Sequence, residues 1–162
     1  MPASLRAEVV SHTHKEIIKR IKFLSDKDAP FLFTILPLLK PMKVYPKDTL
    51  YQQGDYAEEV FFIFQGRIKL YIDLNEAGEG ESMNVPFNLY VEGSYFGDSD
   101  IFPNPNQEGT EDERNQRDCT AIAEVESSLL VITRKELVDV FKRFKDIAKE
   151  MKSIGYERKK HH

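Results

Sequence analysis

Apolar positions recur with a helical period at both ends of the chain and with a period of two between them. Leu5, Val9, Ile17 and Ile21 recur in steps of four or eight, which predicts a helix over residues 4–21 with one apolar stripe. In SDKDAPFLFTILPLLK, Asp28 is placed to cap a second helix, and Pro30 falls in its first turn, where a missing N–H costs little. Phe31, Ile35 and Leu38 or Leu39 then face inward, and Pro37 ends or bends that helix.

From residue 42 the period changes to that of short strands, punctuated at Gly54-Asp55 and Gln65-Gly66. The clearest is RIKLYID, in which Ile68, Leu70 and Ile72 alternate with Lys69, Tyr71 and Asp73, a half-buried strand. Residues 75–84 are polar and read as a loop, a strand follows at 85–91, and DCTAIAEVESSLLVIT supplies two more. Residues 104–116 resemble a linker.

The helical period returns at TRKE, residues 133–136, a capping box in which Thr133 accepts from the chain and Glu136 reaches back. Leu137, Val140, Phe141 and Phe144 form the inward stripe of that helix. Asp146 is placed to cap a last helix, with Ile147, Met151 and Ile154 facing the strands and Gly155 weakening its second half. Helices, then many short strands, then helices predict an α+β fold: an antiparallel, jelly-roll-like β-roll flanked by N-terminal and C-terminal helices.

A chain of 162 residues fits one such domain with a sizeable core. Its net charge of −4 provides no basic field to draw it onto nucleic acid. Cys119 is alone, which excludes a disulfide framework and fits a reducing compartment. No apolar run reaches the roughly 20 residues that span a bilayer, and a start inside a helical pattern reads as a piece of a longer protein.

The candidate chemistry is sparse. The four histidines (His12, His14, His161 and His162) lie in terminal helices, and none sits in a strand where a metal site would need it. Solvated side chains are the expectation there. Cys119 has no histidine near it in sequence, and Ser99 follows an aspartate without a base, so no nucleophile is assembled. VEGSYFGDSDIF, residues 91–102, differs in kind. Gly93 and Gly97 permit tight turns and close backbone approach. Asp98 to Ile101 can begin a short helix whose N–H groups point at an anion, with Arg117 returning on a strand to clamp it.

Three segments in order, GDYAEEVFFIFQGRIKLY, GSYFGD and RDCTAIA, resemble the cyclic-nucleotide-binding domain, and the resemblance covers about residues 15–160. It implies an N-terminal helical bundle, an eight-stranded β-roll, and a hinge helix followed by a lid helix, with Gly54, Gly66 and Gly97 as turn glycines. The segments MPASLRAEVVSH and LLKPMKVYPKDTLYQQGD resemble the branch found in cation channels gated by voltage or cyclic nucleotides. That places the end of a channel-type linker helix at 1–14 and the nucleotide-binding homology domain at 15–162.

The resemblance also assigns roles. Gly97, Asp98, Ser99 and Asp100 form the phosphate cassette, with Asp98 in the place of the family's ribose-binding glutamate. Arg117 maps to the arginine that pairs with the cyclic phosphate, Asp118 follows it, and Thr120 ends the family's Arg-x-Ala-Thr pattern. Arg158 maps to a lid position that can reach the purine. The implied protein is a cytosolic regulatory domain of a cation channel, potassium-conducting, on the cytoplasmic side of a membrane protein. Its ligand would be cAMP or cGMP with no required cofactor and no catalytic residue. Its partners would be other subunits of a tetramer, with no nucleic acid and with membrane contact only through the rest of the chain. A soluble signalling protein such as a kinase regulatory fragment, and an interaction module using the acidic 104–116 loop, are the alternatives.

Three departures weaken the expected phosphate site. Asp100 stands where the family has a small residue, Asp118 replaces a small or hydroxyl residue, and the stretch from Asp98 to Arg117 is about ten residues long beyond the usual cassette. Residues 98–118 carry seven acids against Arg114 and Arg117. A unit charge 5 Å from a phosphate is worth on the order of 3 kcal/mol at an effective dielectric near 20. One aspartate at that distance therefore cancels Arg117.

Overall fold

The computed structural model describes residues 12–74, 83–102 and 115–160. Three short helices lead in: α1 (His14–Arg20), α2 (Lys22–Ser25) and α3 (Ala29–Ile35), which tightens into a 3-10 turn over Leu36–Leu38. Eight strands follow among these residues: β1 (Lys40–Val44), β2 (Thr49–Tyr51), β3 (Glu59–Gln65), β4 (Arg67–Asp73), β5 (Asn84–Val91), β6 (Tyr95–Phe96), β7 (Thr120–Ala123) and β8 (Ser127–Thr133). Two helices, α4 (Arg134–Arg143) and α5 (Lys145–Lys160), close the fold.

The strands form two four-stranded antiparallel sheets, ordered β1-β8-β3-β6 and β2-β7-β4-β5. This is the expected β-roll with helices at both ends. Its β3 strand, EVFFIFQ, is apolar without alternation because both of its faces are covered. Val60, Phe62 and Phe64 pack under the helices, whereas Phe61 and Ile63 face the interior of the roll with Ile68, Leu70 and Phe96. Gly54, Gly66 and Gly97 all have positive φ, as their expected turns require.

The N-terminal helix differs from its expectation. Where one helix is expected over 4–21, Thr13 is extended (φ −70, ψ 154) and its hydroxyl accepts from the Glu16 N–H, so α1 starts only at His14. A threonine hydroxyl competes for backbone donors and makes a cap where periodicity sees continuity. Residues 1–11 of the linker helix expected over 1–14 lie outside the described residues, as do 75–82 of the expected polar loop, 103–114 of the linker-like stretch, and His161 and His162. His12 is not solvated: its ring stacks on Phe64 with centroids 3.6 Å apart. Asp28 precedes α3 as expected, but its side chain makes no capping bond.

At the other end the Thr133–Glu136 capping box is complete. Helix α5 begins at Lys145, so Asp146 lies in the first turn and is not the cap. Its packed stripe is Ala148, Met151 and Gly155, with Ile147 half-buried and Ile154 exposed. Gly155 does not interrupt the helix, which runs on to Lys160.

Candidate functional site

A cavity of about 490 Å³ lies between the open end of the roll and α5. Tyr51, Leu70, Tyr90 and Phe96 supply its apolar walls, and Asp98, Ser99, Asp100, Asp118 and Arg158 its polar ones. The sequence-derived residues Gly97, Asp98, Ser99, Asp100, Asp118 and Arg158 are thus brought together on one cavity, whereas Arg117 and Thr120 do not line it.

The 97–102 turn is shaped by Gly97, whose φ of +90 an L side chain rarely adopts and whose Cβ position faces the Glu59 carbonyl at 3.1 Å. The carbonyl of Asp98 then accepts from the N–H groups of Ile101 and Phe102. These bonds close a single turn rather than the short helix expected from residues 98–101.

Arg117 holds this turn against β3. Its Nη1 donates to the Gly97 carbonyl and its Nη2 to the Glu59 carbonyl, both at 2.6 Å. The Asp100 carboxylate is 3.4 Å from Nη1, and the guanidinium lies 4.0 Å above the Tyr51 ring. With 2% of its surface exposed, Arg117 is shielded from the cavity. Its two terminal nitrogens are thus engaged by backbone carbonyls, while its buried Nε has no hydrogen-bond partner among the described residues.

Asp98 is equally buried, and its Oδ1 accepts from Arg158 Nη2 at 2.6 Å. Burial pushes the Asp98 carboxyl above the usual carboxylate range, and Arg158 pulls it back. Arg158 also donates through Nη1 to the Tyr95 carbonyl at 2.8 Å and lies over the Tyr95 ring at 4.7 Å. Arg158 therefore fastens α5 to the turn and to β6. Thr120 is turned elsewhere, its hydroxyl accepting from the Gln53 N–H at 2.9 Å.

Cys119 lines the cavity but burial pushes its thiol up to about 12, which makes it a poor nucleophile. Among the described residues there is no group of three or more His, Cys, Asp or Glu side chains able to hold a metal ion. Nor is any described helix long and apolar enough to cross a membrane.

Gly155 escaped the sequence reading as a site residue. A Cβ there would meet Asp98 Oδ2 at 2.8 Å, so the missing side chain is what lets α5 lie on the turn. The signal was present as a glycine inside a helical pattern, where close backbone approach is one standing cause. The aromatic walls Tyr51 and Tyr90 carried no such signal.

The family model described as the cyclic nucleotide-binding domain matches residues 41–144. The chain belongs to the cyclic nucleotide-binding domain family. Among curated relatives, it is 26% identical over 155 residues to the cyclic nucleotide-gated channel rod photoreceptor subunit alpha of Gallus gallus, covering 96% of this chain and 22% of that one. It is 25% identical over 157 residues to the cyclic nucleotide-gated channel alpha-2 of Rattus norvegicus, covering 97% of this chain and 22% of that one. The chain thus spans about a fifth of the length of these relatives.

Two solved structures share the fold of this cyclic nucleotide-binding domain. The catabolite activator protein of Thermus thermophilus superposes with a TM-score of 0.68 at 14% identity, over 86% of this chain and 58% of that one. The regulatory subunit of a cAMP-independent protein kinase A from Trypanosoma brucei gives 0.67 at 16% identity, over 92% and 50%.

Proposed function

We propose that this chain is the cytosolic regulatory domain of a larger cation channel, potassium-conducting, whose cavity under α5 takes cAMP or cGMP weakly and whose output is the position of α5. The carrying observation is the cavity itself: it lies between the roll and the last helix and is floored by the Gly97–Asp100 turn. A ligand there bears on α5 directly, and its leverage is its differential affinity for two positions of that helix. The Lys27 ammonium, 2.7 Å from Glu150 Oε2, links α5 back to the N-terminal helices, a route toward the rest of the protein. Similarity to channel subunits over nearly the whole chain supports the channel reading, with other subunits as partners and the cytoplasmic side as its place.

Weak binding follows from the charges. Arg117 is turned to backbone carbonyls, and the cavity itself is lined by three carboxylates (Asp98, Asp100 and Asp118) against the one guanidinium of Arg158. A phosphate entering there meets a net negative site, so salt should strengthen binding rather than weaken it. Calorimetric titration with cAMP and with cGMP at low and high salt is the test. Saturable one-to-one binding that tightens with salt is expected; no heat with either nucleotide at either salt rejects the nucleotide reading.

A further inference from the structure

In the 97–102 turn Asp98 meets two residues one helical turn apart on α5, Gly155 and Arg158, beside the Lys152 ammonium that lies 5.4 Å from the Phe102 ring. Asp98, 2% exposed, forms part of the cavity wall and is the carboxylate a ligand hydroxyl would need as acceptor. Arg158 Nη2 donates to it at 2.6 Å, while Nη1 is anchored on the Tyr95 carbonyl. Between them Gly155 presents bare backbone to Oδ2, where a Cβ would intrude to 2.8 Å. Residues 155 and 158 are three apart, so they share one helix face, and both meet the same carboxylate.

We propose that Arg158 is a resident competitor in the cavity: it takes the Asp98 carboxylate, latches α5 closed, and must be displaced before a ligand hydroxyl can use that acceptor, with Gly155 as the positioning residue that lets the helix come close enough. The competitor half of this rests on the nucleotide reading above; the latch half does not. The sign of one substitution separates the latch from a ligand contact. If Arg158 touched the ligand, removing it would weaken binding. If it competes with the ligand, removing it tightens binding.

The experiment uses the 162-residue chain carrying spin labels at Ser153→Cys and Glu124→Cys, both exposed sites, with buried Cys119 left unlabelled. Inter-label distances and calorimetric affinities for cAMP and cGMP are compared in the native background, Arg158→Ala and Arg158→Lys. A narrow distance distribution is expected natively, with displacement and broadening in Arg158→Ala and partial return in Arg158→Lys, which keeps the charge. Nucleotide affinity should rise severalfold in Arg158→Ala. An unchanged distance in Arg158→Ala overturns the latch, and weaker nucleotide binding in that variant overturns the competition. If no variant binds nucleotide, the nucleotide reading fails and the competition with it, while the distances still decide the latch.

Discussion

Gly155 in the last helix lies so close to Asp98 in the 97–102 turn that a Cβ on it would stand 2.8 Å from Oδ2. Helix propensity and packing therefore oppose each other at this position. Alanine is favoured over glycine inside a helix by about 1 kcal/mol. Against it stands a buried carboxylate that Arg158 already holds in place. Gly155→Ala should displace α5 and fail to raise the melting temperature, read by thermal unfolding and by the label distance. A more stable protein with α5 unmoved would show that the turn yields freely.

Arg117 should behave as a structural residue before it behaves as a ligand contact. Arg117→Ala strips donors from the Gly97 and Glu59 carbonyls and leaves Asp100 without its guanidinium. Breaking a buried pair by removing one partner costs about 3–5 kcal/mol. Chemical denaturation of the variant should show a loss of this order. Full stability with abolished nucleotide binding would instead make Arg117 a ligand clamp.

Asp118 is exposed at the cavity rim, so its repulsion of a phosphate acts through water. Asp118→Thr should tighten cAMP or cGMP binding by about 1 kcal/mol at low salt, and the gain should vanish at high salt. A gain that persists in salt would place the carboxylate in a drier setting than its exposure indicates. Asp100→Ala should bring no comparable gain, because Asp100 sits against Arg117 and its removal disturbs the turn.

Acid should release the lid before it unfolds the roll. Burial raises the Asp98 carboxyl, so the folded chain holds this proton to higher pH than the unfolded chain does. For this group the sign is that stability is gained below the ordinary carboxylate range and lost as pH rises through the raised value. The Asp98–Arg158 ion pair runs the other way, forming only once Asp98 ionises, with Arg117 as the other cation favouring that step. Label distances followed down from pH 7 should therefore lengthen above the usual range of an aspartate, about 4, while far-ultraviolet circular dichroism holds. Lid release that coincides with global unfolding would contradict this order.

Much of the scaffold could be read from residues taken a few at a time. RIKLYID alternates because one face of β4 is buried and the other is wetter, and TRKE caps α4 through contacts within one turn. The positive-φ glycines 54, 66 and 97 are equally local, each marking a turn that a Cβ would strain. Such features depend on spacing along the chain, and spacing is written in the sequence. Even there Thr13 shows the limit, since its hydroxyl starts a helix inside an apolar stripe that reads as unbroken.

The site was legible as a set of residues and not as a set of partners. Resemblance gathered Gly97, Asp98, Ser99, Asp100, Asp118 and Arg158, and the fold does bring these onto one cavity. It could not say that Arg117 would spend its donors on the carbonyls of Gly97 and Glu59, or that Thr120 would serve the Gln53 N–H. Nor could it say that Arg158 would close on Asp98 across Gly155. These choices join residues about 20 to 67 positions apart. A hydrogen-bond donor has no preference among distant acceptors until packing decides which of them is within 3 Å and shut off from water, and only the tertiary structure makes that decision.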